Sequence, residues 1–147
     1  MPPTTRQARV NGVALNYVEQ GQGAPVVLVH GATIDHRAWE GQREAVARCY
    51  RYIALTQRYF GTDPWPDAGE QYSLTTHADD LTTFIRNLKA GPVHLVGEES
   101  PPGRVSRFPP ILPIAVFRDP DSSYSPMAGT TRPPRIPWHS LMRCWAS

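Results

Sequence analysis

The sequence predicts an α/β fold, a mostly parallel sheet with helices on its faces, entered through a β-hairpin. Three observations carry this. Val26–Val29 and Val93–Val96 are continuous apolar, largely β-branched runs, the pattern of strands buried on both faces of a parallel sheet. Between them, helix-like and strand-like segments alternate, as they do when crossover helices join parallel strands. Ahead of them, Asn11-Gly12 separates two strand-like runs, and Asn-Gly suits a two-residue hairpin turn in which both residues need positive φ.

The elements follow in order. The hairpin strands are expected at Gln7–Val10 and Val13–Glu19, with Val13, Leu15 and Tyr17 sharing one face. Gly21-Gln22-Gly23 reads as a turn. It precedes a strand instead of following one, so it is no dinucleotide fingerprint. After the Val26–Val29 strand, a helix is expected from Arg37 to Tyr50, with Trp39, Val46 and Tyr50 near one face, and then a short strand at Tyr52–Leu55. Gly61, Pro64, Pro66 and Gly69 make residues 56–72 a loop. Ser73 is placed to cap a second helix. Leu74, Ala78, Leu81, Ile85 and Leu88 form one apolar stripe along it, and Asp79 and Asp80 fall in its first half, which suits the helix dipole. Gly91-Pro92 ends it before Val93–Val96.

Composition breaks at Gly97. Residues 1–97 hold nine Lys/Arg, nine Asp/Glu and six prolines; residues 98–147 hold six Arg, no Lys, four acids and ten prolines. One proline in five residues opposes both helix and central strand. The expected organisation is therefore a structured part over residues 1–97 and an irregular Pro/Arg-rich tail over 98–147, in which only Ile111–Phe117 reads as a short strand or helix turn. A net charge of +2 across 147 residues gives no footprint for nucleic acid or a membrane surface. No apolar stretch approaches the ~20 residues of a membrane span, and the start, Met1-Pro-Pro-Thr-Thr-Arg-Gln, has no signal-peptide core. Two cysteines, Cys49 and Cys144, suggest neither a disulfide framework nor a metal site. A reducing, cytoplasmic location is expected.

The chemistry is expected where the first buried strand ends. His30-Gly31-Ala32 follows Val26–Val29 directly, and ligands of open parallel sheets bind at the carboxyl ends of strands. A glycine there permits a tight turn, and an outward N–H can stabilise a developing oxyanion. His36, His77 and His94 read as a loop residue, a helix residue and a strand residue. No pair of histidines has a metal-ligand spacing with matching acids, so no metal site is implied.

Over about residues 10–97 the chain resembles the α/β-hydrolase superfamily, close to small serine hydrolases of the esterase and lactonase kind. Val26-Val-Leu-Val-His-Gly31 is similar to the family's third strand and oxyanion turn, and Trp39 to an aromatic residue at the start of its first helix. Gln57-Arg58-Tyr59-Phe60-Gly61 resembles the loop often written D-x-R-G-x-G; Arg58 and Gly61 match, while Thr56 and Tyr59 depart from its Asp and first Gly. Tyr72 to Leu88 resembles the second helix and its lead-in, and Val93-His-Leu-Val-Gly97 the strand before the nucleophile elbow. The resemblance implies a partial α/β-hydrolase fold. The implied parent reaction is acyl transfer to water from a small-molecule ester-like substrate, without a cofactor, with the Ala32 N–H in the oxyanion hole.

The family then requires G-x-S-x-G on a sharp strand-to-helix turn. Here the chain reads Gly97-Glu98-Glu99-Ser100-Pro101-Pro102. Glu99 stands at the serine's place, Ser100 is one residue late, and Pro101 has no N–H to complete an oxyanion hole. Ser100, Asp119 or Asp121, and His139 occur in the family's triad order, but too few residues separate them for the strands that normally intervene. The expectation is a catalytically inactive relative whose frame has shifted after Gly97. Two alternatives stand beside it, an active hydrolase using Ser100 and a non-catalytic binding protein using Arg107-Phe-Pro-Pro110-Ile-Leu-Pro113, which fits R-x-x-P-x-x-P. A carboxylate nucleophile at Glu99, as in related dehalogenases and epoxide hydrolases, is disfavoured by Pro101 and by Thr33, where epoxide hydrolases usually carry proline. Without later strands, Val93–Val96 is expected to form an exposed apolar edge, which favours aggregation.

Overall fold

The computed structural model describes residues 3–32 and 34–97, and the backbone of 115–117. Six strands form one sheet: β1 (Thr4–Val10), β2 (Val13–Gln20), β3 (Pro25–Val29), β4 (Arg51–Leu55), β5 (Val93–Gly97) and β6 (Ala115–Phe117). Their spatial order is β1-β2-β4-β3-β5-β6. The hairpin β1–β2 is antiparallel, with Val10 opposite Val13, and β2 runs antiparallel to β4. Strands β4, β3 and β5 are parallel. The turn between β1 and β2 has φ of 44° at Asn11 and 84° at Gly12, as an Asn-Gly hairpin turn demands.

The central strands alternate between two cores, as strands covered on both faces do. Val27, Ile53, Leu55 and Val93 pack with Phe84 and Ile85 of α2 (Leu74–Leu88). Val26, Leu28, Tyr52, Ala54 and Val96 pack on the other face with Trp39 and with Val46 of α1 (Glu40–Ala47). The expected single helix from Arg37 to Tyr50 is therefore shorter and in two parts: a 3-10 turn at His36–Trp39, then α1. Asp35 starts the 3-10 turn by accepting a hydrogen bond from the Arg37 N–H.

Helix α2 begins where Ser73 accepts a hydrogen bond from the Thr76 N–H at 3.0 Å. Its apolar stripe is realised only in part. Leu81, Ile85 and Leu88 join the core with Phe84, whereas Leu74 and Ala78 stand exposed. The last residues are held by Lys89, which takes the left-handed conformation (φ 47°) usually given to glycine.

Strand β5 is not the free edge expected from the sequence. Strand β6 pairs antiparallel along it, Leu95 opposite Ala115 and Val93 opposite Phe117, so three residues of the tail cover that edge. Cys144 lies outside the described residues. Among the described residues no helix is long and apolar enough to cross a membrane.

Candidate functional site

The strand order reverses about β3. From β3 the chain crosses to β4 on one flank, then returns through α2 to β5 on the other. Such a reversal opens a crevice beyond the carboxyl ends of the strands, where open α/β sheets bind ligands. The turn His30-Gly31-Ala32 leaves β3 at this place, and the loop beginning at Thr56 leaves β4 beside it.

His30 is buried and Ala32 is exposed. The Gln57 N–H donates to His30 Nε2 at 3.0 Å, and the Gln57 side-chain amide donates to the His30 carbonyl at 2.7 Å. An imidazole nitrogen that accepts a hydrogen bond carries no proton, so the network places the ring hydrogen on Nδ1. From there it is donated to the Gly31 carbonyl, 2.7 Å away. Burial pushes the His30 pKa below its ordinary value, against the opposing pull of the Gly31 carbonyl and Asp35. The Phe60 ring meets His30 edge-on with centroids 5.0 Å apart. Among the described residues nothing accepts a hydrogen bond from the Ala32 N–H.

The neighbouring groups are fixed in turn. Thr56 Oγ1 lies 2.7 Å from His36 Nδ1 and accepts from the His36 N–H at 3.3 Å. Asp35 makes a two-point ion pair with Arg37, and the guanidinium holds its carboxyl down at a pKa of about 2. His77, on the first turn of α2, sits between Tyr72 (5.1 Å) and Phe60 (5.9 Å). His94 lies buried within β5, which lowers its pKa by desolvation.

Beside this turn, Arg58 points away from the crevice to Asp80 of α2, bound through Nε–Oδ2 (2.7 Å) and Nη2–Oδ1 (2.9 Å). Asn11 at the hairpin tip donates to the same carboxylate at 2.9 Å. A polar cavity of about 450 Å³ opens here, lined by Asn11, Arg58, Gln71, Asp79, Thr83 and Arg86. None of its lining residues belongs to the His30–Ala32 turn.

Residues 24–98 match the family model described as alpha/beta hydrolase fold. The chain belongs to that family. It is 36% identical over 101 residues to a non-heme chloroperoxidase of Kitasatospora aureofaciens, an alignment covering 67% of this chain and 35% of that protein. It is 32% identical over 89 residues to the bifunctional epoxide hydrolase 2 of Sus scrofa, covering 60% of this chain and 16% of the other. A crystal structure of an epoxide hydrolase from Vigna radiata superposes with a TM-score of 0.62 at 28% identity, covering 66% of this chain and 32% of that one. The chain thus spans about a third of the length of the first of these relatives and of the solved structure.

In this alpha/beta hydrolase the two departures from D-x-R-G-x-G have a local explanation. Tyr59 adopts a φ of 68°, the left-handed conformation glycine would take there. Its hydroxyl donates to Asp67 Oδ2 and accepts from the Gln71 N–H, both at 3.2 Å, and its ring lies 5.2 Å from Trp65. Thr56 supplies a hydroxyl that accepts from the His36 backbone, a place an aspartate carboxylate would also serve.

Of the residues singled out from sequence, the structure brings His30, Gly31 and Ala32 together on one turn. Glu99, Ser100, Asp119, Asp121 and His139 lie outside the described residues, as does Thr33. In the sequence, Gln57 and Phe60 stand out only as part of a family-like loop. Their contacts with His30 have no signature in the sequence, because one of the Gln57 bonds comes from its backbone. Among the described residues no group of three or more His, Cys, Asp or Glu is placed to hold a metal ion.

Proposed function

We propose that residues 3–97 carry the oxyanion half of a site for acyl transfer to water from a small-molecule ester-like substrate, and that this chain does not itself hydrolyse one. The observation that supports the first half is that Ala32 is exposed just past the carboxyl end of β3, its N–H uncommitted among the described residues, on a turn that His30 braces through the Gly31 carbonyl. A preorganised N–H at such a place stabilises charge developing on a carbonyl oxygen. In the intact parent a serine would attack the carbonyl, with a histidine as its base.

The second half rests on Gly97-Glu98-Glu99-Ser100-Pro101-Pro102. A serine nucleophile needs small neighbours and a following N–H, and Pro101 offers neither. The proposed cause is a shift of reading frame after Gly97. Translating the other two frames downstream of codon 97 is expected to reveal a G-x-S-x-G, then an acid and a histidine. A fluorophosphonate probe is expected to leave the chain unlabelled, and p-nitrophenyl esters uncleaved above the rate with buffer alone. Labelling of Ser100, lost on Ser100→Ala, would overturn the inactive reading.

The similarity to epoxide hydrolases favours one second reading, in which a carboxylate at Glu99 attacks an epoxide carbon, the epoxide C–O bond breaks to an alkoxide that water protonates, and water then hydrolyses the resulting ester to the diol. Styrene oxide turnover that disappears in Glu99→Gln would establish it.

A further inference from the structure

The strongest unassigned feature lies one loop away from the turn, at Gln57. Gln57 makes two hydrogen bonds to one residue, His30, and the two act on different parts of it. Each can be followed through the rigid peptide units of the turn. The described backbone has no cis peptide bond, so the C=O and N–H of each unit point in opposite directions.

The first bond runs from the Gln57 side-chain amide to the His30 carbonyl at 2.7 Å. That carbonyl shares its peptide plane with the Gly31 N–H, so holding one fixes the other. The second runs from the Gln57 N–H to His30 Nε2 at 3.0 Å. It leaves Nδ1 as the protonated nitrogen, which donates to the Gly31 carbonyl at 2.7 Å. The Gly31 carbonyl shares its plane with the Ala32 N–H. Two successive peptide planes are thus set by one residue, the second of them through the choice of tautomer.

We propose that Gln57 is the positioning residue of this turn: it selects the Nδ1–H form of His30 and, through it, aims the Ala32 N–H. The assignment rests on the acyl-transfer reading for its purpose but not for its geometry. A proton added at Nε2 would face the Gln57 N–H, donor against donor, so protonation of His30 breaks the arrangement. The charged or titratable groups around the ring are Asp35, His36 and His77. Asp35 favours the added proton and the two histidines oppose it.

The test uses the full chain, labelled with ¹⁵N. In the wild type, long-range ¹H–¹⁵N spectra are expected to show His30 with bare Nε2, and Gly31 and Ala32 with backbone order parameters near 0.85, roughly the value of rigid backbone. In Gln57→Leu and in Gln57→Glu the side-chain donor is gone while the backbone N–H stays. Both are expected to keep the tautomer and to lower the order parameter of Gly31 below about 0.6, while Ala32, held through the tautomer, stays near its wild-type value and Val27 and Leu28 of β3 are unchanged. Acidifying the wild type until His30 protonates is expected to loosen Ala32 without any substitution. A Gly31 as rigid in Gln57→Glu as in the wild type would overturn the proposal, as would an Ala32 as rigid in protonated wild type as at neutral pH, or an Nε2-protonated tautomer. Ester turnover is measured alongside. No form is expected to turn over an ester, and the order parameters decide the positioning role on their own; turnover by the wild type would overturn the inactive reading and leave the positioning role standing.

Discussion

Arg58 and Asp80 are 22 residues apart in sequence and meet through two near-parallel hydrogen bonds, with both side chains almost wholly buried. The pair joins the loop after β4 to the middle of α2. Around it, Gln71 accepts from Arg58 Nη1 at 3.0 Å and Asn11 donates to Asp80, so the hairpin tip is tied to the same point. The Asp80 carboxylate is what raises the Arg58 pKa above its ordinary value, against the opposing effect of burial.

Breaking this pair from one side is expected to be costly. Asp80→Ala leaves a buried guanidinium with Gln71 as a neutral partner, and should lose about 3–5 kcal/mol of stability in urea unfolding. The double variant Arg58→Met/Asp80→Leu removes both charges and should recover most of that loss, because the pair's own attraction is largely offset by its desolvation. Equal losses in the single and double variants would mean that the pair matters only through Asn11 and Gln71.

The hairpin and the three parallel strands were legible because each depends on a local rule. Asn11-Gly12 sets its turn through φ, and Val26–Val29 and Val93–Val96 declare burial on both faces. The Arg58–Asp80 pair was not legible. Asp80 fits a helix-dipole role in sequence, and its partner appears only once the β4 loop folds back onto α2. The apolar stripe on α2 is longer in the sequence than in the fold for a similar reason. Period alone gives Leu74 the same standing as Ile85, yet Leu74 is 86% exposed, because only the later turns lie over the sheet. Phe84 falls outside the counted positions but inside the core, since the buried face is wider than a single row of side chains. Strand β6 is a tertiary choice among the two readings open to Ile111–Phe117. The His30–Gln57 contact is the least legible of all, because a backbone N–H can belong to any residue.

Lys89 gives a gain where nature left one. It ends α2 in the left-handed conformation at φ 47°, is exposed, and uses its N–H on the Arg86 carbonyl. A side chain there is strained against its own backbone, whereas glycine is not. Lys89→Gly is expected to stabilise the fold by about 0.5–1 kcal/mol after the added freedom of the unfolded chain is counted. An upward shift of the urea midpoint at unchanged slope checks it.

Gly21 should behave in the opposite way. It sits at φ 79°, and a Cβ there would overlap the carbonyl oxygens of Ala47 and Tyr50 at the end of α1. Those are backbone atoms, so the neighbour cannot rotate away. Gly21→Ala combines left-handed strain with overpacking and is expected to cost about 2–4 kcal/mol. Gly12 makes the control. Its φ is also positive at 84°, but open space surrounds it, so Gly12→Ala carries the strain alone and should cost about 1 kcal/mol. Thermal unfolding of the two variants side by side separates space from strain.

Acidification should weaken the fold in two separate windows. His30 and His94 have folded pKa values below the unfolded value of 6.5. As pH falls through 6.5 the unfolded chain takes up protons that the folded one refuses, so stability is full above this range and declines until the folded groups titrate. Asp35 acts lower down. Its folded pKa of about 2 lies below the ordinary 3.8, so its contribution is complete above 3.8 and disappears as pH falls through about 2. The shift corresponds to roughly 1–2 kcal/mol once the exposure of Arg37 is allowed for. Asp35→Asn should flatten the lower window and deepen the upper one, because it removes a carboxylate that favours protonated His30, whereas His94→Gln should reduce only the upper one. Urea midpoints taken from pH 2 to pH 8 on the three proteins distinguish these assignments, and a lower window that survives Asp35→Asn would place the acid sensitivity on another carboxylate.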